Sequence, residues 1–195
     1  NVRDVAFTDR LIEATLKTPK GKVAIESPLL GRINLTNLMG AVATAVVAGL
    51  SLESIAAAIR EIPPVRGRLE PVHRGSFAVI VDYAHTDLAL ENLLGSLREL
   101  TQGRLIVVFG AGGARDQTKR PRMGAVVARL ADQVVVTSDN PRSEDPRLII
   151  EAIVAGFPRD FTAFAIEVDR RRAIERALAM AAPGDGLGQA EWAQK

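Results

Sequence analysis

The chain contains no cysteine. That excludes a disulfide framework and any thiolate metal site, and it suits a reducing compartment. Aromatic residues make up only 4% of the sequence, so a core has to be assembled from alanine, valine, leucine and isoleucine. Histidine occurs twice, which leaves little to titrate near neutrality, so a formal charge of only +2 accompanies a pI of about 9.3. No dense lysine and arginine block interleaved with aromatics supports a nucleic-acid partner. The longest apolar run, GAVATAVVAGL over 40–50, is too short to span a bilayer. No opening segment has the charged, apolar, small-residue order of a signal peptide. The expectation is a cytoplasmic monomer with no membrane partner. The first ten residues, NVRDVAFTDR, lack a methionine and read as a cut from something longer.

What is present, 47% hydrophobic and 25% charged residues, is the composition of a globular α/β protein. Residues 10–27 alternate around Pro-Lys-Gly-Lys and predict a hairpin. Small apolar residues at helical spacing predict a helix from Asn34 to Gly49, and Ser51 is placed to cap a second that ends at Pro63-Pro64. The segment PPVRGR, 63–68, reads as a linker and a hinge. Beyond it strands alternate with helices: strands at 77–84, 104–110, 133–138 and 161–168, helices at 88–100, 121–131, 146–157 and from Asp169. Repeated β-α units of this length predict a doubly wound, mostly parallel sheet, Rossmann-like in kind. Ligands of such sheets bind beyond the carboxyl ends of strands, which singles out the loops 82–87, 110–120 and 138–146.

Each loop admits a chemical and a plainer reading. FGAGGARDQTKRP, 109–121, lacks the third glycine of a dinucleotide fingerprint and is no P-loop. It can be a flexible loop whose Arg115, Lys119 and Arg120 meet an anion, or a solvated turn. In VDYAHTD, 81–87, Asp82 and His85 can contact a ribose, a phosphate or a reacting carboxyl group. The alternative is that Asp82 and Thr86 cap the next helix while His85 packs. Asn34 and Asn37, three apart on one helical face, can read a nucleobase edge, unless Asn34 is simply a cap. In TSDNPRSEDP, 137–146, Arg142 offers a planar fork to a carboxylate and Asn140 an amide to an amine. An Asx-turn at Asp139 and a helix start near Asp145-Pro146 account for the acids and prolines but leave Asn140 and Arg142 unexplained.

In this order, LLGRINLTNLMGAVATA, PPVRGRLEPV, VIVDYAHTDLALENLL, VVFGAGGARDQTKRPRMG and VVVTSDNPRSEDP resemble the ATP-dependent Mur ligases of peptidoglycan synthesis, most closely the MurE type. The resemblance implies that 1–66 is the end of a central ATP-binding domain and 67–195 the Rossmann-like C-terminal domain that brings an amino acid. It implies that Asn34 and Asn37 face adenine, and that Arg68, Asp82 and His85 belong to the ATP site. Arg115, Asp139, Asn140 and Arg142 would hold the added amino acid, with Arg142 on the distal carboxylate of meso-diaminopimelate. The other substrate implied is a UDP-muramoyl dipeptide, activated through an acyl phosphate with ATP and Mg²⁺. A chain without the upstream P-loop is then expected to be inactive alone. Asp87 stands where the family usually has proline, Ala114 where it has an acid, and no Gly-Lys-Gly-His-Glu follows APGDG, so the family's late strand is expected to be missing. The alternatives are a degenerate binding module and an amide ligase of the cyanophycin synthetase class.

Overall fold

Residues 2–8 and 10–190 are described in the computed structural model, and they divide into one unit ending at Leu69 and another starting at Glu70. In the first, β1 (Val2–Phe7), β2 (Ile12–Thr18) and β3 (Gly21–Ser27) form an antiparallel sheet in that order. The alternation after Arg10 sends Ile12, Ala14 and Leu16 to the buried face, opposite Ser27, Ile25 and Val23. The expected turn closes it: the Thr18 hydroxyl donates to the Gly21 carbonyl at 2.9 Å, and Gly21 takes a φ of +125° that a side chain would resist.

Helices α1 (Gly31–Val47) and α2 (Leu52–Arg60) supply Leu35, Leu38, Val42, Val46, Ile55 and Ile59 to the same core. Leu38 and Val42 are each 2% exposed, and burying such a side chain contributes about 1.5–3 kcal/mol. Ser51 caps α2 as expected, accepting from the Ser54 N–H at 3.1 Å. The capping alternative for Asn34 fails, because α1 begins three residues earlier. Leu30 holds the cap position, and the Asn34 amide donates back to the Leu30 carbonyl at 2.9 Å.

The second unit runs β4 (Glu70–Arg74), β5 (Ala78–Asp82), α3 (Asp87–Leu100), β6 (Leu105–Phe109), α4 (Lys119–Leu130), β7 (Gln133–Val136), α5 (Pro146–Val154), β8 (Phe164–Ile166), α6 (Arg170–Met180) and β9 (Gly186–Ala190). The strand order is β4-β5-β9-β6-β7-β8, parallel except for β4 against β5. The doubly wound parallel sheet is therefore present. Steps from β5 through β8 run one way across the sheet, so right-handed crossovers stack α3, α4 and α5 on one face. The return from β8 to β9 reverses direction and puts Ala173 and Ala177 of α6 on the other face, against Ile106, Val108, Val135 and Leu187. The edge strand β4 went unread, since EPVHR is polar and largely exposed.

The missing late strand is corrected. β9, GLGQA, is fully buried and pairs with β5 on one side and β6 on the other. It carried no strand signal because its positions toward α3 are glycines. A Cβ at Gly186 would lie 2.2 Å from the Thr101 hydroxyl, and one at Gly188 would lie 2.7 Å from Leu97 Cδ1. Close helix approach has replaced the apolar pattern that marks a strand. Residues 191–195, where the rest of the tail expectation falls, lie outside the described residues.

Two aspartates tie the amino ends of the strands. Asp185, 5% exposed, accepts from the Arg104 N–H at 2.8 Å, the Arg104 guanidinium at 2.7 Å and the Ala182 N–H at 2.9 Å. Asp132 accepts from the Leu105 N–H at 2.7 Å and from Arg98 at 2.6 Å. Burial alone would raise both carboxyls, but these donors outweigh it and hold both below the ordinary aspartate value. A depressed folded pKa contributes stability above the ordinary aspartate range, and that contribution is lost as pH falls through the folded value. Denaturant unfolding at pH 7 and pH 3 should therefore show an acid loss that shrinks in Asp185→Asn, with lower stability at pH 7; an unaltered pH dependence would contradict the assignment.

Candidate functional site at the carboxyl ends of the strands

The loops leaving β6 and β7 form one structure. Gly113 donates its N–H to the Asn140 carbonyl at 2.8 Å, and Arg142 Nη1 donates to the Gly113 carbonyl at 2.6 Å. The glycines of the first loop permit this contact. A Cβ at Gly110 would lie 2.3 Å from the Thr137 carbonyl oxygen, and one at Gly113 only 1.9 Å from that of Pro141. The glycine-rich stretch is therefore a close backbone contact and not a flexible arm.

Ala114 and Arg142 both adopt left-handed backbone, with φ of +51°. For residues with a Cβ this costs on the order of 1–3 kcal/mol each and persists only where the surroundings impose it. Here the Ala114 N–H donates to the Glu144 carboxylate, while Arg142 is held through its own side chain. Arg120, 3% exposed, makes a forked pair with Glu144, both N–O distances being 2.9 Å. The Arg120 guanidinium first, and the Ala114 N–H second, hold the Glu144 carboxyl below the usual glutamate value.

These contacts correct the reading of Arg120 as a group free to meet a ligand anion. Arg120 is spent on Glu144, and Lys119 Nζ donates to the His85 carbonyl at 2.6 Å, which ties the β5 loop to α4. Arg115 remains exposed and makes no hydrogen bond or ion pair among the described residues. The Asx-turn at Asp139 is also corrected. Its Oδ1 is buried without a hydrogen-bond partner, and lies 3.9 Å from Arg170 Nη1. Asn140 is exposed at the loop tip, and Asp145 caps α5 as expected, accepting from the Arg147 N–H at 2.8 Å.

Arg170 was not singled out in the sequence, where it is the first of three arginines opening a helix. It donates to the Ser138 carbonyl at 3.2 Å and to the Ala190 carbonyl at 2.9 Å, so it joins the β7 loop to the end of β9. Glu144 is likewise not singled out in the sequence. Its signal was weak, an acid two residues past Arg142 with no helix face to place it.

The other expected residues are distributed as follows. Asp82 ends β5, half-buried. His85 is exposed, with its ring edge-on to that of Tyr83 at 5.3 Å between centroids and Nδ1 2.9 Å from the Tyr83 carbonyl oxygen. Thr86 caps α3 by accepting from the Ala89 N–H at 3.2 Å, and Asp87, unusual for the resembled family, pairs with Arg122 at 3.0 Å. In the first unit, the Asn34 and Asn37 amides meet at 3.5 Å, and Arg68 is exposed just past Gly67. Among the described residues no cluster of His, Cys, Asp or Glu could hold a metal, and no helix is long and apolar enough to cross a membrane.

Chemically, the joined loops offer two guanidinium groups and an amide. Arg142 commits one N–H to Gly113 and keeps the rest of its fork for an acceptor, which suits a carboxylate.

Residues 67–187 match the family described as Mur ligase, glutamate ligase domain. A UDP-N-acetylmuramoyl-L-alanyl-D-glutamate–2,6-diaminopimelate ligase of Thermosynechococcus vestitus is 50% identical over 179 residues, covering 90% of this chain and 36% of that protein. The Gloeobacter violaceus protein of the same name is 50% identical over 184 residues, 93% of this chain and 37% of its own. A solved diaminopimelate ligase of that name superposes with a TM-score of 0.71 at 34% identity, over 97% of this chain and 39% of that one. The chain thus spans little more than a third of these relatives.

Because a Cβ on residue 113 has no room beside Pro141, Gly113→Ala should part the two loops and lower stability by about 1–3 kcal/mol. Chemical denaturation checks this, and a wild-type midpoint would show that the contact is not required.

Proposed function

The chain belongs to the Mur ligase family, and we propose that it is the amino-acid-binding part of an enzyme adding meso-diaminopimelate to UDP-N-acetylmuramoyl-L-alanyl-D-glutamate. The observation that carries the substrate is the Arg142 fork, anchored by Gly113 and adjacent to Asn140. Diaminopimelate ends in a second amino-acid group, and a planar cation beside an amide matches its carboxylate and amine. Lysine as substrate would offer no such carboxylate.

Members of the family use ATP, which supplies the phosphoryl group that activates a peptide carboxylate for attack by an amine. In this reading 1–66 closes the ATP-binding domain and 67–195 carries the amino acid. Asn34 and Asn37 face adenine, while Arg68, Asp82 and His85 serve the ribose or phosphates. Arg115 takes the carboxylate nearer the reacting amine, and Asp139 supports the tip that carries Asn140. Catalysis by these groups is positioning: a poor nucleophile is held where its lone pair meets the activated carbon. Mg²⁺ would be held mostly by residues in the other parts of the longer enzyme. A cytoplasmic setting and a monomeric state belong to the same proposal.

In an enzyme carrying this chain together with the domains of its longer relatives, Arg142→Lys should raise the KM for diaminopimelate or lower kcat/KM. The cost should be about 1.5–3 kcal/mol, the value of a charge-assisted pair, with little change for ATP. Unchanged kinetics for diaminopimelate would refute the carboxylate role.

A further inference from the structure

We propose that Arg120 and Glu144 are positioning residues that lock the two arginine-bearing loops into one rigid receptor, on the reading that those loops hold the added amino acid. Neither residue faces a ligand in that reading. Each starts from firm structure, Arg120 in the first turn of α4 and Glu144 beside the cap of α5.

Their contacts reach the residues on either side of Gly113, the anchor of Arg142. Arg120 Nη2 donates to the Gly112 carbonyl at 3.4 Å as well as to Glu144. Glu144 Oε1 also receives the Ala114 N–H, the amide immediately before Arg115. Between them, Gly113 is bound on both sides by the β7 loop. Three successive residues are thereby fixed, and two left-handed residues with side chains, Ala114 and Arg142, stand at the ends of this clamp. A directional acceptor is needed to hold Ala114 in that conformation, and a shape-matched apolar pair could not supply one.

That difference separates positioning from plain stability. Replacing both members of a buried ion pair by apolar groups is often neutral or stabilising, whereas removing one partner leaves an unpaired charge. The double variant Arg120→Met/Glu144→Leu is therefore expected to fold, with a melting temperature close to wild type. In the 195-residue chain, hydrogen exchange at Gly113 and Ala114 should nevertheless accelerate, while β6 and β7 remain protected. In the longer enzyme, the KM for diaminopimelate should rise on the order of tenfold to a hundredfold, as for a misplaced binding group, with the KM for ATP unchanged. Glu144→Gln, which keeps an acceptor for Ala114, should recover most of the exchange protection.

Wild-type protection of Gly113 and Ala114 in the double variant would overturn the proposal. So would lost protection with an unchanged KM in an enzyme that uses diaminopimelate. If the wild-type enzyme does not use diaminopimelate, the functional reading fails, and the exchange measurement still decides whether the clamp sets the loops. Should the double variant not fold, Glu144→Gln and Glu144→Ala are compared in the same way, and equal exchange in both would overturn it.

Discussion

The second unit depends on a strand that arrives last. Gly186–Ala190 pairs in register with both Ala78–Asp82 and Leu105–Phe109, so among the described residues the two halves of the sheet are joined only through β9. Without β9, β5 would have no strand partner on its inner edge. Such non-local parallel pairing is entropically slow to form, because the intervening chain must be ordered first. The sequence around β9 is arranged for the docking. Gly186 and Gly188 let α3 approach, while Asp185 gathers three donors at the strand's entrance.

Closing the sheet also assembles the functional end. Once β9 lies beside β6, the Ala190 carbonyl is in reach of Arg170, which also holds Ser138 in the loop after β7. The same side chain lies 3.9 Å from Asp139, whose Oδ1 has no hydrogen-bond partner. The loop after β7 is therefore connected to β9 by one cation.

Charge is divided between the two ends of the strands. At the amino ends, aspartates accept from backbone N–H groups and arginines, and they serve stability. At the carboxyl ends, arginines donate to backbone carbonyls or to Glu144, and the left-handed residues are held by Glu144 accepting from the Ala114 N–H and by Arg142 donating to the Gly113 carbonyl. Strain at the carboxyl ends, with satisfied carboxylates at the amino ends, is the distribution expected of a pre-organised receptor on a rigid sheet.

Local pattern determined much of this protein. Alternation in Ile12–Leu16, the continuous apolar run Leu105–Phe109 and the caps at Ser51, Thr86, Asp145 and Asp169 are consequences of near neighbours, and each was legible in order. So was the gathering of the three polar loops at one end of a parallel sheet, since right-handed crossovers leave no other arrangement. What only the tertiary structure decided are the pairings between residues far apart in the chain. Nothing local distinguishes Arg120, buried against Glu144, from Arg115, exposed five residues earlier. Nothing local makes a strand of GLGQA, whose glycines have meaning only against Thr101 and Leu97. Periodicity records which face of an element is buried; which partner it is buried against is settled only when the sheet closes.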